Sequence, residues 1–589
     1  MVILGINAYH ADASAALVVD GQLVAAAEEE RFNRIKHSAG VPAQAIKACL
    51  KLGGLEARDI DHVAVARDPT ARLAKKALYA IRVPKLALDR LAAWKTFGNI
   101  PSALASCLER SSLPARYHRV EHHKAHLASS FFVSPFENAA LLSADGLGDF
   151  ASTMWGVGRE SKLSVLGATA FPHSLGIYYT ALTQYLGFWK YGDEYKVMGL
   201  AACGEPEFKD EFDKIIRLDG RLGFSLGLDY FIHHKNGPEM TWFDGEPLLG
   251  RLFSDQLLRR LGPARENRVA VEKRDQNIAS SLQSRLEDTM FSLLNKLYEL
   301  TKLKQLCLAG GVAFNCVVNG KIFEKTPFEK VYIQPAAGDA GLAIGAAFYV
   351  WNQILGQPRS FEMKHAYWGP EFSNDNIGKV LGARSRELER TANGELRIAE
   401  LSEERLVKFT AKKIAEGKVV GWFQGRMEWG PRALGNRSIV VDPRQAEMKE
   451  ILNARIKHRE PFRPFAPSIL EERVGDYFEH SYPSPFMLMT YKVKAEKRNV
   501  IPAPTHVDGS GRLQTVSKEQ NPLYWQLLKV FEKLTGVPVL LNTSFNENEP
   551  IVHRPEEALD CFLRTKMEVL VIGRYVVEKV GETSCVFSS

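Results

Sequence analysis

Short apolar runs broken by polar turns open the chain, and they predict strands. Residues 2–6 form one run, 15–19 a second and 22–27 a third, with Asp20-Gly21 between the last two. Asp and Gly both tolerate positive φ, so this pair predicts a hairpin turn. The pattern then recurs. Residues 139–143 are apolar, 145–149 polar, and 151–158 and 163–168 apolar again. Strand, polar turn, strand, turn, strand, met twice, predicts an internal duplication.

A third region extends it. Residues 305–308 read as a buried strand running into Ala309-Gly310-Gly311-Val312-Ala313-Phe314-Asn315, with a helix up to residue 323. Residues 331–333 read as a strand entering Pro335-Ala336-Ala337-Gly338-Asp339-Ala340-Gly341, then a small-residue helix over 342–351. Such Gly-rich turns either admit a nucleotide's phosphates at a helix N-terminus or are merely tight connections. A sheet with a ligand-facing turn, built twice around a cleft, is the plan of the actin and sugar-kinase fold. Patterning weakens around Gly356-Gln357-Pro358 and Thr391-Ala392-Asn393-Gly394, which predicts a connection over 361–395 between a first domain, 1–360, and a second, 396–589.

Composition narrows the class without naming it. The 589 residues are 45% hydrophobic and 25% charged, an ordinary globular balance. Seven cysteines stand singly, none in a CxxC pair, which argues against a zinc ribbon and suits a reducing compartment. Residues 1–7 lack a signal-peptide pattern and no apolar stretch approaches ~18 residues, so the expected place is the cytoplasm, without a membrane partner. A net charge of +7 permits anionic ligands but is often only a solvated surface. The basic residues cluster only where phosphate ligands are expected, which argues against a nucleic-acid partner.

Several residues are candidates for chemistry. His122 and His126, four apart in Glu121-His122-His123-Lys124-Ala125-His126, share a helix face and can share a metal, or are helix-surface residues. Asp145 and Asp339 each follow a predicted strand, where ligands gather in α/β sheets. His10, in the first turn beside Asp12, reads as a proton acceptor for a hydroxyl or as a structural histidine. Lys36 and His37 end a charged run that is a solvated face or a cleft mouth. In the second domain a strand over 419–423 enters the loop Glu428-Trp429-Gly430-Pro431-Arg432-Ala433-Leu434-Gly435-Asn436-Arg437-Ser438. Arg432, Lys457 and Arg463 read as phosphate ligands, or as surface cations paired with Glu428 and Glu460. Arg512 follows a Gly-rich turn, and Asn542 and Ser544 are expected just past a strand over 537–541.

These motifs, with Asn7-Ala8-Tyr9-His10-Ala11-Asp12-Ala13-Ser14 and Phe462-Arg463-Pro464-Phe465-Ala466-Pro467, resemble the nodulation-protein-U-type O-carbamoyltransferase family, which includes antibiotic-tailoring carbamoyltransferases. The resemblance covers nearly the whole chain. It implies an α/β and α+β fold: a duplicated actin-like (ASKHA) N-terminal domain followed by a YrdC-like domain. It implies two reactions, in which carbamoyl phosphate and ATP give carbamoyl-AMP in the second domain and a hydroxyl of a small molecule or sugar takes the carbamoyl group in the first. By that resemblance His10 is the base and Lys36 an acceptor contact. His122, His126, Asp145 and Asp339 hold a divalent metal, iron-like Fe(II), and Mg can accompany ATP. Gly311, Asn315 and Ser544 contact nucleotide, while Arg432, Lys457, Arg463, Arg512 and Asn542 hold carbamoyl phosphate and ATP. Two rival readings are a fused tRNA threonylcarbamoyladenosine-forming enzyme and a non-catalytic actin-like nucleotide-binding protein.

Overall fold

The opening hairpin forms as the apolar pattern predicts. β1 (Val2–Asn7), β2 (Ser14–Val19) and β3 (Gln22–Glu28) make an antiparallel meander, with Asp20 at φ 48° and Gly21 at φ 79° in the turn. β4 (His62–Val65) and β5 (Arg116–Arg119) then add in parallel beside β1, giving the order β3-β2-β1-β4-β5. The second set repeats the plan. β6 (Asn138–Gly148), β7 (Ala151–Arg159) and β8 (Lys162–Ala170) form a meander, and β9 (Gln305–Ala309) and β10 (Lys330–Ile333) add in parallel beside β6. One strand plan is thus built twice.

The computed structural model describes residues 1–83, 99–218, 220, 222–237, 240–391 and 396–579. Its contacts divide the chain into two units, Met1–Met363 and Lys364–Ser589. Within the first unit, two helices bring the duplicated sheets to one site. α1 (His122–Phe131) starts at Glu121, whose carboxylate accepts from Lys124 N at 2.8 Å and caps the first turn. α2 (Leu342–Phe348) presses against both β1 and α1. Glycine permits that closeness: a Cβ on Gly5 would lie 2.0 Å from Ala343 O, and one on Gly345 would lie 1.9 Å from Ala125 O.

The second unit is built on a nine-stranded mixed sheet. Its strands are β11 (Leu396–Glu400), β12 (Val420–Phe423), β13 (Arg437–Val441), β14 (Ala466–Leu470), β15 (Met489–Lys492), β16 (Ser510–Val516), β17 (Val539–Ser544), β18 (Val569–Ile572) and β19 (Tyr575–Lys579). They lie in the order β11-β19-β18-β12-β13-β17-β14-β16-β15. Two differences from the sequence expectation stand out. The segment 361–395 is not a plain connection, because Asn374–Thr391 is helical and its Ile377 and Leu381 join the second unit's core. Its Ala392-Asn393-Gly394 turn lies outside the described residues, as does Cys585. Asn542 and Ser544 lie inside β17 rather than past its end, since β17 pairs with β13 through Ser544↔Ser438. Among the described residues, no helix is long and apolar enough to cross a membrane.

Candidate active site

Four ligand-type side chains of the first unit converge. His122 and His126 stand one turn apart on α1, both buried. Their Nε2 atoms each lie 3.2 Å from Asp145 Oδ2 and 3.5 Å from Asp339 Oδ1. The four candidate donor atoms all lie within 4.8 Å of one another. Asp145 reaches them because β6 bulges: its register with β7 slips between Ala144 and Gly148, which re-aims the intervening side chains. Asp339 begins the 3-10 turn Asp339–Gly341 ahead of α2.

The donor set fits a metal ion. Asp339 Oδ1 is buried without a hydrogen-bond partner, an expense that a cation would relieve. Two neutral imidazole nitrogens with two carboxylates suit a divalent transition metal. Electrostatics point the same way. Burial pushes the Asp145 carboxyl up, but hydrogen bonds from His122 and His126 outweigh it and hold it well below the usual range. Burial pushes His126 down, yet Asp145 and Asp339 raise it to about 9, the signature of a carboxylate pair seeking positive charge.

His10 joins this cluster from the opposite sheet. Its Nδ1 comes within 2.5 Å of Asp339 Oδ2, as an ion-pair contact rather than a well-directed hydrogen bond. Its ring centroid is 6.0 Å from that of His122. Gly311 also belongs here, because its N–H donates to Asp145 Oδ1 at 2.9 Å, and a Cβ on it would lie 2.8 Å from that oxygen. Asn315 does other work: its side chain caps the helix Cys316–Gly320 and its amide exchanges hydrogen bonds with Gln283 at 2.8 and 3.1 Å. Lys36 sits beside His37 in a charged group described below, where burial pushes the Glu30 carboxyl up but Arg31, then His37 and Lys36, bring it below its usual range.

Sequence reasoning missed the groups that hold α1 in place. Asp149 Oδ2 accepts from His122 N at 2.9 Å and Asp68 N at 2.8 Å, and Arg72 donates to Glu121 at 2.5 Å. Gly148 is required where it stands, since a Cβ there would lie 2.1 Å from the His122 ring. The only hint was the pair of glycines in Asp145-Gly146-Leu147-Gly148-Asp149.

In the second unit, side chains expected as ligands bind the protein itself. Lys457 is 2% exposed and donates to Ser544 O, Asn546 O and Asn546 Oδ1 at 2.6, 2.6 and 2.7 Å. Burial, then Arg459 and Arg463, push its pKa well down, while three acceptors match the three N–H bonds of the charged form. Asn542 Nδ2 donates to Gln514 at 2.9 Å, Ser468 at 3.1 Å and Ala433 O at 3.2 Å. Glu428 is no surface partner for arginine. It is 2% exposed, and its Oε1 accepts from the backbone of Leu434, Asn436 and Arg437 at 2.8, 2.8 and 3.1 Å, fixing the Gly-Pro-Arg loop from within. Glu460 does pair with Arg463, at 3.3 Å. Arg432 is half-buried on that loop and Arg512 half-buried on β16.

Residues 2–348 match the carbamoyltransferase N-terminus family, and residues 411–579 match the carbamoyltransferase C-terminus family. The chain is 41% identical to an uncharacterized protein of Synechocystis sp., over 98% of this chain and 97% of that protein. It is 40% identical to Nodulation protein NolNO of Sinorhizobium fredii, over 97% of this chain and 80% of that protein. It is 30% identical to Nodulation protein U of the same species, over 93% of this chain and 94% of that protein.

Proposed function

The chain belongs to the carbamoyltransferase family, and we propose that it moves a carbamoyl group from carbamoyl phosphate, through carbamoyl-AMP, to a hydroxyl of a small molecule or sugar. The observation that supports this reading best is His10 standing against Asp339 at the edge of the four-donor cluster. In the first reaction carbamoyl phosphate and water give carbamate and phosphate. A carbamate oxygen then attacks the α-phosphorus of ATP, and pyrophosphate leaves. This step belongs to the second, YrdC-like unit, where Arg432, Arg463 and Arg512 meet the phosphates. Lys457, Asn542 and Ser544 shape the strand end that carries the substrate.

In the second reaction the acceptor oxygen attacks the carbamoyl carbon and AMP leaves from the actin-like first unit. His10 Nδ1 faces Asp339 Oδ2, so Nε2 is the atom turned to the acceptor and takes the hydroxyl proton in this reading. His122, His126, Asp145 and Asp339 hold a divalent metal, Fe(II) in this reading, which when bound supplies positive charge that polarises the adenylate. Asp145 also fixes the Gly311 turn through its second oxygen, so the same carboxylate orders the nucleotide loop. Lys36 faces the acceptor.

Half-reactions test this. Wild-type protein should release pyrophosphate and AMP from ATP only when carbamoyl phosphate is added, not threonine with bicarbonate. Arg432→Ala should stop adenylate formation, through loss of a charge-assisted phosphate contact worth about 1.5–3 kcal/mol, yet still use supplied carbamoyl-AMP. His10→Asn should do the reverse, losing about 10²–10⁴-fold in transfer while adenylate forms normally. Equal loss of both half-reactions in either variant would refute the division of labour.

A further inference from the structure

The turn that carries His10 is conformationally expensive. It spans six residues between β1 and β2, and two of them, Tyr9 at φ 56° and Asp12 at φ 58°, are left-handed without being glycine. A bulky residue such as tyrosine rarely adopts that region, and such geometry persists only where surroundings over-determine it. From one side Asn7 Nδ2 donates to Ala11 O and Asp12 O, both at 3.0 Å. From the other side the segment 37–40 clasps it: Tyr9 N donates to Gly40 O at 2.9 Å, Ala13 N to Ser38 O at 2.8 Å and Asp12 N to His37 O at 3.4 Å.

His37 is the side chain that ties the clasp to the turn. Its Nδ1 lies 2.8 Å from Asp12 Oδ1, and its own N–H donates to Glu30 Oε2 at 2.9 Å. Glu30 is held in turn by Arg31 at 3.3 Å, and Arg31 by Glu28 at 3.0 Å. The imidazole itself is gripped: Tyr191 packs edge-on with centroids 5.1 Å apart, and a Cβ on Gly192 would lie 2.5 Å from Nε2. The charges facing it are Asp12, Glu30 and Glu194 against Lys36. Burial lowers its pKa, but Asp12 and Glu30 outweigh burial and raise it to about 9, so the ring carries its donor proton at neutral pH.

We propose that His37, through Asp12, is a positioning residue that locks the His10 turn against Asp339. This rests on His10 acting as the base for transfer. Backbone bonds alone could close the loop; the ion pair adds a fixed direction to Asp12, two residues from the imidazole that must reach the acceptor hydroxyl. Loosening it lets the left-handed residues relax and withdraws His10 from Asp339.

The test uses the full chain with metal. The first readout is the rate of diethyl pyrocarbonate modification of His10 at one neutral pH, followed by mass spectrometry. His37→Ala should raise that rate several-fold. His37→Asn, which restores a donor to Asp12, should bring it back. The second readout is carbamoylation of glycerol from radiolabelled carbamoyl phosphate, which should fall about 10–100-fold in His37→Ala, the usual cost of a misplaced catalytic group. Pyrophosphate release, metal content and melting temperature should stay at wild-type values. An unchanged His10 modification rate in His37→Ala overturns the proposal. So does a change that His37→Asn fails to rescue, or one that travels with lost metal or lowered melting. Transfer surviving in His10→Asn overturns instead the assignment of the base, leaving His37 judged by the modification rate alone.

Discussion

The two regions expected to carry chemistry treat their polar side chains in opposite ways. Around His122 and His126, ligand-type atoms face one another across a shared space, and buried Asp339 Oδ1 has no hydrogen-bond partner among the described residues. Around the Gly-Pro-Arg loop, Glu428 Oε1, Lys457 Nζ and Asn542 Nδ2 are committed to backbone and neighbouring amides, although Glu428 Oε2 and Asn542 Oδ1 are, like Asp339 Oδ1, buried without a hydrogen-bond partner. A buried polar group must be satisfied by something. In the first unit a cation would satisfy Asp339 Oδ1; in the second the protein itself satisfies Glu428 Oε1, Lys457 Nζ and Asn542 Nδ2. Residue type alone names a chemistry, whereas the use already made of each atom decides whether it is available.

The comparison breaks hardest at the metal. His126→Ala removes one of four donors, so the loss of metal affinity should exceed the ~10–100-fold that outer-sphere changes cost, about 3 kcal/mol or more. The unfolding transition of the second unit should stay in place. Metal analysis of the purified variant checks the first point and calorimetry the second. Full metal content in a folded His126→Ala protein would remove the contrast, leaving two regions that both satisfy themselves.

Lys457 sharpens the comparison from the other side. Lys457→Met strips Asn546 O of its donor but leaves Ser544 O to Asn546 N and Asn546 Oδ1 to Ser544 Oγ, and a buried acceptor left bare costs about 1–3 kcal/mol before relaxation. Stability of the second unit should therefore drop by about 1–3 kcal/mol, read as a lower denaturant midpoint without added nucleotide. A purely ligand-binding lysine would instead leave that midpoint alone, or raise it by relieving an unpaired charge.

Much of the first unit was legible in the sequence, and particular residues show why. Alternation with Asp20-Gly21 located the first hairpin, and repetition of the strand-turn pattern located the second sheet. The spacing of His122 and His126 reports one helix face, and an apolar run ending in Asp flagged both carboxylates, although Asp145 lies inside β6 at its bulge rather than past a strand end, so the four clustered ligand-type side chains could be read from local pattern. Contacts made between distant segments could not. Gly345 against Ala125, Asp149 under His122 and the bond of Glu428 to three amides all depend on tertiary approach. The helix Asn374–Thr391 was masked by charge, and among its described side chains Ile377 and Leu381 mark the buried face. Asn542 read as a loop ligand because Asn favours turns, but here pairing of β17 with β13 and β14 carries the strand through it.

The smallest effect falls on the residue that crosses the comparison. Asn315 lies in the first unit, near the Gly311 turn, yet behaves like the committed residues of the second. Its Oδ1 caps the helix Cys316–Gly320 through Val318 N at 3.0 Å, and its amide is paired with Gln283. Asn315→Ala should then cost about 1–2 kcal/mol, from a lost N-cap and a Gln283 amide left to Glu287 and Tyr179. ATP affinity should change less than twofold, because none of the atoms removed is free for a nucleotide. Asn315→Asp keeps the capping oxygen and should recover part of the stability. Isothermal titration with ATP beside denaturant unfolding separates the two roles. A tenfold loss of ATP affinity in Asn315→Ala at unchanged stability would return Asn315 to the nucleotide site and show that a satisfied side chain in this unit can still exchange its partners for a ligand.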